Sequence, residues 1–98
     1  MNSDDILATL RAHQLELRHR GVRHAALFGS VARGEATTAS DIDILVEHDS
    51  DAPIDVFAYT GITQYLSDLF PERVDVANRD RLKPSVRPRA ERDAVFAF

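Results

Sequence analysis

Three aspartates and a Gly-Ser pair are the residues of this 98-residue chain whose types and spacing suit chemistry. Asp41 and Asp43 stand one residue apart in the run "DIDILVE" (41–47), and Asp75 is the only acid in "VDV". Strand geometry has period two, so Asp41 and Asp43 share one face while Ile42, Ile44 and Val46 take the other. Two residues of strand span roughly 6.6 Å. Like charges about 6 Å apart repel by roughly 3 kcal/mol at an effective dielectric of 20. A domain of this size holds only about 5–10 kcal/mol of stability. The pair therefore needs full solvation, a cationic partner or a raised pKa. Hard oxygen ligands on one face also suit Mg²⁺, which keeps waters and binds substrate phosphates. Asp75, pointing outward between two inward valines, would add a third carboxylate, enough for two metal ions. A lone Asp-x-Asp is more often solvated strand surface.

Gly29 and Ser30 sit between an apolar run and what reads as a turn of helix. Free backbone N–H groups at such a junction attract phosphate. The missing side chain at Gly29 lets the backbone approach a ligand closely. Ser30 adds a hydroxyl donor, although capping alone would account for it. Arg33, one turn on, can pair with a phosphate or neutralise Asp41 or Asp43. His13, His19, His24 and His48 share no ligand spacing and read as surface or structural residues. Ser30, His48 and an aspartate make no hydrolase triad, because no nucleophile elbow surrounds the serine. Tyr59 and Tyr65 read as packing residues.

The elements that must hold these residues follow from periodicity. Residues 3–20 read as one helix, capped by Ser3 or Asp4, with Ile6, Leu7, Leu10 and Leu17 on one face and Leu15 off it. Residues 22–28 read as a buried strand, and a helical turn runs from near Ser30 to Gly34. Residues 36–40 are a polar loop and 41–47 a second strand. Asp51 and Pro53 suit the start of a helix over 54–70, with Ile54, Phe57, Ala58, Ile62, Tyr65 and Leu69 on one stripe and Pro71 at its end. Residues 73–77 form a third strand. A loop, a short helix from about Pro84 and an apolar end that packs down complete the chain. This order predicts an α/β (α+β) fold, a small mixed β-sheet of three to four strands flanked by helices, in a single domain spanning residues 1–98.

Composition limits the partners. The chain is 44% apolar and 29% charged and has no cysteine, which fits a reducing, cytoplasmic setting. Its start is unlike a signal peptide, and no apolar run approaches the roughly 20 residues that span a bilayer. The formal net charge is −4. Residues 1–80 carry 7 basic and 14 acidic side chains, while residues 81–98 carry 5 basic and 2 acidic. That balance disfavours nucleic acid as a partner and a membrane surface is equally unindicated. The basic end reads either as a solvated tail or as an edge for an anionic ligand or partner.

Taken together, "GSVARGEATTASDIDILVE" and the later "VDV" resemble the nucleotidyltransferase superfamily that includes DNA polymerase β. Its motif is Gly-Ser, then Asp-x-Asp on a strand, then a third carboxylate on a later strand; here ten residues separate Ser30 from Asp41. The short length and the ending "RLKPSVRPRAERDAVFAF" resemble the minimal nucleotidyltransferases, the MNT or MntA-like group, which are similar to antitoxins encoded beside HEPN-domain ribonuclease toxins. The resemblance implies a polymerase β-like fold, ATP as substrate and two Mg²⁺ held by Asp41, Asp43 and Asp75. Gly29 and Ser30 would cradle the terminal phosphates, with Arg33 and Ser40 completing the nucleotide-binding set. It also implies a HEPN-domain toxin as partner in a hetero-oligomer, AMP being transferred to one of its tyrosines. A contact-only antitoxin, or a subunit acting on a small-molecule hydroxyl with a separate acceptor-binding chain, are the alternatives. Relatives often carry a basic residue where this chain has Val31, which implies one phosphate contact fewer.

Overall fold

The computed structural model describes residues 2–35, 41–49 and 55–98. Four strands form one mixed sheet in the order β3-β2-β1-β4. β1 (Val22–Phe28) and β2 (Ile42–His48) are antiparallel, with Phe28 opposite Asp43. β3 (Val74–Asn78) runs parallel to β2, and β4 (Val95–Phe96) is antiparallel to β1. A parallel neighbour needs a crossover. α4 (Val56–Asp68) supplies it and packs against the sheet.

One face of the sheet carries the main core. Ile42, Ile44 and Val46 of β2 and Ala25 and Leu27 of β1 are buried there with Ile6, Leu7 and Leu10 of α1 (Ser3–Ala12). Leu17 of α2 (Gln14–His19) and Ile62 and Leu66 of α4 complete it. The other face is covered in part. Ala26 and Leu45, paired across β1 and β2, are buried outside that cluster, as is Ala90 of α5 (Arg87–Asp93), which packs near β1. No helix among the described residues is long and apolar enough to cross a membrane.

Several expectations shift. The first helix breaks at His13, where the ring Nδ1 lies 2.8 Å from the Thr9 carbonyl and the backbone N–H turns to Leu10, 3.1 Å away. The side chain thus occupies the carbonyl that its own N–H would take in a continuous helix. Asn2, not Ser3 or Asp4, caps α1: it accepts from the Asp5 N–H at 2.8 Å in a reciprocal box. Ile54, and the cap proposed at Asp51 and Pro53, fall outside the described residues; Asp55 caps α4, accepting from the Ala58 N–H at 2.7 Å. Phe57, placed on the buried stripe, is 87% exposed, and Val56 beside it 72%. The stripe that packs is Ile62 and Leu66, with Tyr59, Tyr65 and Leu69 partly buried, because the first turn of α4 overhangs a cavity instead of the sheet. Leu15 is exposed, as its place off the face implied.

The apolar end does pack down. Ala97 is buried and its N–H donates to Ala25 at 2.9 Å, while its carbonyl accepts from Arg11 Nε at 2.9 Å. The pairing adds β4 as an edge strand.

Candidate active site

Register sets the site. β2 and β3 pair with Asp43 beside Asp75, one strand spacing apart and on the same face. Asp41, two residues before Asp43, shares that face. It lies just before β2, where the Ile42 N–H donates to the Arg73 carbonyl at 2.9 Å. The three carboxylates expected to act together are brought together at the end of the sheet where β2 and β3 begin.

Arg73 joins them. Its Nε lies 3.7 Å from Asp75 Oδ1 and 4.0 Å from Asp41 Oδ2, and its side chain is 77% exposed. The sequence reading missed this residue, although period two puts it on the face of Asp75. Exposed pairs of this kind contribute little to stability. They do offset part of the crowded charge.

Asp43 is the most constrained of the three. Burial, then the charges of Asp75 and Asp41, push its carboxyl above the ordinary range, with Arg33 opposing. Gly29 explains how it fits. Gly29 has φ +76°, and a Cβ built there would overlap Asp43 Oδ2 and stand 3.1 Å from its Cγ. Only glycine adopts that backbone without strain, and only glycine leaves room for the carboxylate. α3 (Gly29–Ala32) then carries Ser30 at its start, while Val31 turns inward and is buried in the main core.

Arg33 makes its ion pairs away from Asp41 and Asp43, although its charge still pulls the Asp43 carboxyl down. It donates from Nε to Glu35 Oε2 and from Nη1 to Asp93 Oδ2, both at 3.0 Å. It ties α3 to α5 instead of neutralising Asp41 or Asp43 directly. Ser40 lies outside the described residues.

Among the described residues no three acidic or histidine side chains stand close enough to hold an ion as they are placed. The donor set nonetheless fits a hard divalent cation. It is all carboxylate, it shares one open face, and its charge is only partly offset by one exposed arginine.

A cavity among the described residues lies away from the carboxylates. About 280 Å³ in volume, it lies at the opposite end of β2 and β3, lined among others by His48, Tyr59, Asn78 and Arg81. His48 packs edge-on against Tyr59, 5.9 Å between centroids, and Tyr59 donates to the Val76 carbonyl at 3.1 Å. His48 and Ser30 belong to opposite ends of the sheet, which removes the triad on geometry as well.

The comparisons bear on family and fold. The model of the family described as "Nucleotidyltransferase domain" matches residues 10–97. A protein adenylyltransferase MntA of Thermococcus cleftensis is 37% identical over 94 residues, covering 95% of this chain and 93% of that protein. A solved structure of a candidate minimal nucleotidyltransferase superposes with a TM-score of 0.80 at 29% identity, covering 97% of this chain and 95% of that one. A complex of a tri-AMPylated Shewanella oneidensis HEPN toxin with an MNT antitoxin contains the same fold: TM-score 0.65, 18% identity, 94% of this chain and 71% of that one.

Proposed function

The chain belongs to the nucleotidyltransferase domain family, of the minimal kind, and we propose that it is a cytoplasmic, Mg²⁺-dependent antitoxin that transfers AMP from ATP to a tyrosine hydroxyl of a HEPN-domain ribonuclease toxin. The observation that carries the reading is the register pairing of Asp43 with Asp75, with Asp41 on the same face.

In this reading Asp41, Asp43 and Asp75 hold the divalent cations, two in number. When bound, these ions neutralise the triphosphate and the charge that develops on the leaving group. Gly29 lets the backbone come close to the phosphates, and the Ser30 hydroxyl donates to them. Asp75, half exposed at the cleft edge, accepts the proton of the incoming hydroxyl. The acceptor oxygen bonds to the α-phosphorus as the bond from that phosphorus to the bridging oxygen breaks, and pyrophosphate leaves. The protein contributes orientation more than covalent chemistry. Because the cleft is open on one side, the acceptor arrives on another molecule. The acidic balance of residues 1–80 disfavours a polynucleotide there. The relatives support a protein acceptor, since one is a protein adenylyltransferase and another fold-mate was captured with an AMPylated toxin.

The test is to incubate the partner toxin with this protein, ATP and Mg²⁺ and to measure intact mass and ribonuclease activity. A gain in steps of one AMP, absent in Asp41→Ala, with loss of ribonuclease activity is the expected result. Neutralisation by an Asp41→Ala, Asp43→Ala variant with no mass change would establish the contact-only alternative instead.

A further inference from the structure

A second groove, about 190 Å³, runs beside the carboxylates between α5 and the β1–α3 turn. Its walls include Phe28 and Gly29 on one side and Arg33, Arg89 and Asp93 on the other. Gly29 is the shared boundary, because Asp43 Oδ2 fills the place its side chain would take.

The charges of this groove are uneven. Arg33 is held by two carboxylates, Glu35 and Asp93, each at 3.0 Å, so those three groups sum to a net negative charge. Arg89 has no carboxylate partner among the described residues and is exposed. Helical spacing decides where it points. Arg89 and Asp93 are four apart and share a flank of α5. Asp93 is fixed against α3 by Arg33. Glu91 takes the opposite flank, where it accepts from Arg79 Nε at 3.0 Å and Arg87 Nε at 2.9 Å. α5 is thus clamped from both sides, and Arg89 is carried over the groove by a fixed backbone.

We propose that Arg89 binds the terminal phosphates of the nucleotide; this rests on the nucleotidyltransferase reading above and adds a binding residue to it. A nucleotide whose α-phosphate lies at the carboxylates sends its anionic tail past Gly29. The cation on that path not already neutralised is Arg89, whose planar guanidinium suits phosphate oxygens. Arg33 then serves to position α5 and not to meet the phosphates.

Calorimetry on the full chain with Mg²⁺ tests this, using ATP, AMP and inorganic tripolyphosphate as probes against wild type, R89Q and R92Q. A charge-assisted bond to phosphate is worth about tenfold or more in affinity. R89Q should weaken ATP and tripolyphosphate by that factor and leave AMP unchanged, with an unaltered melting temperature. R92Q, a neighbouring exposed arginine off the groove, should leave all three within about twofold. Wild-type ATP binding that R89Q retains overturns the assignment alone. So does a loss of transfer to the partner with ATP affinity intact, which would make Arg89 a docking residue. If wild type binds neither ATP nor tripolyphosphate, the nucleotide reading of the site falls, and the assignment with it.

Discussion

The two ends of β2 solve opposite problems. At the Asp43 end, three carboxylates and Arg73 crowd together on a face open to water, and a glycine makes room for the tightest of them. At the His48 end, both ring nitrogens are buried without a hydrogen-bond partner among the described residues, beside a cavity of about 280 Å³. An excess of like charge on an open face is a cost that a cation can relieve. An unpaired buried ring is a cost that a hydrogen-bonding group or removal of the ring relieves. The crowded charge at the Asp43 end, more than the cavity at the His48 end, marks the candidate site.

Four substitutions sharpen or break that contrast. The largest effect is expected for Asp43→Asn, which keeps shape and removes charge. AMP transfer should fall by at least about a hundredfold, the scale seen when a group stabilising transition-state charge is removed. Without divalent cation the melting temperature at neutral pH should hold or rise, since repulsion from Asp75 and Asp41 is lost. A clear drop would mean that Asp43 holds the fold together and would erase the contrast.

Glycine replacements come next. Gly29→Ala should cost roughly 2 kcal/mol or more, from left-handed strain plus the contact with Asp43. Gly34→Ala shares the strain, with φ +73°, but among the described residues has nothing within 4 Å of an added Cβ. Urea unfolding of both variants isolates the contact. Equal losses would show that Asp43 simply moves aside.

The smallest effect belongs to the far end. Burial holds the His48 imidazole below the ordinary histidine value, with Arg81 adding to that and Asp80 opposing it. The folded state thus binds its proton less readily than the unfolded chain. Stability is lost as pH falls through about 6.5 toward the lowered value. His48→Phe should remove that acid-side loss, gain on the order of 1 kcal/mol from deleting two unpaired nitrogens, and leave transfer unchanged. Thermal melts at a series of pH values, read as the difference between variant and wild type, check the sign. A change in transfer would tie the two ends together.

What the sequence determined by itself was whatever local geometry controls. Period two put Asp41 and Asp43 on one face and Ile42, Ile44 and Val46 on the other, and β1, β2 and β3 were legible to within a residue, whereas the edge strand β4 was read only as an apolar end that packs down. The Gly-Ser junction was legible because glycine at a strand-to-helix turn has a conformational reason. The tertiary structure decided what depends on neighbours distant in the chain. Only the parallel register of β3 on β2 sets Asp75 beside Asp43 and Arg73 beside Asp41. Only the packing of α5 draws Arg33 to Asp93, and only the overhang of α4 leaves Phe57 in solvent. Periodicity says which face a side chain takes. Strand order and helix docking, driven by burial of the apolar faces, say what it meets there.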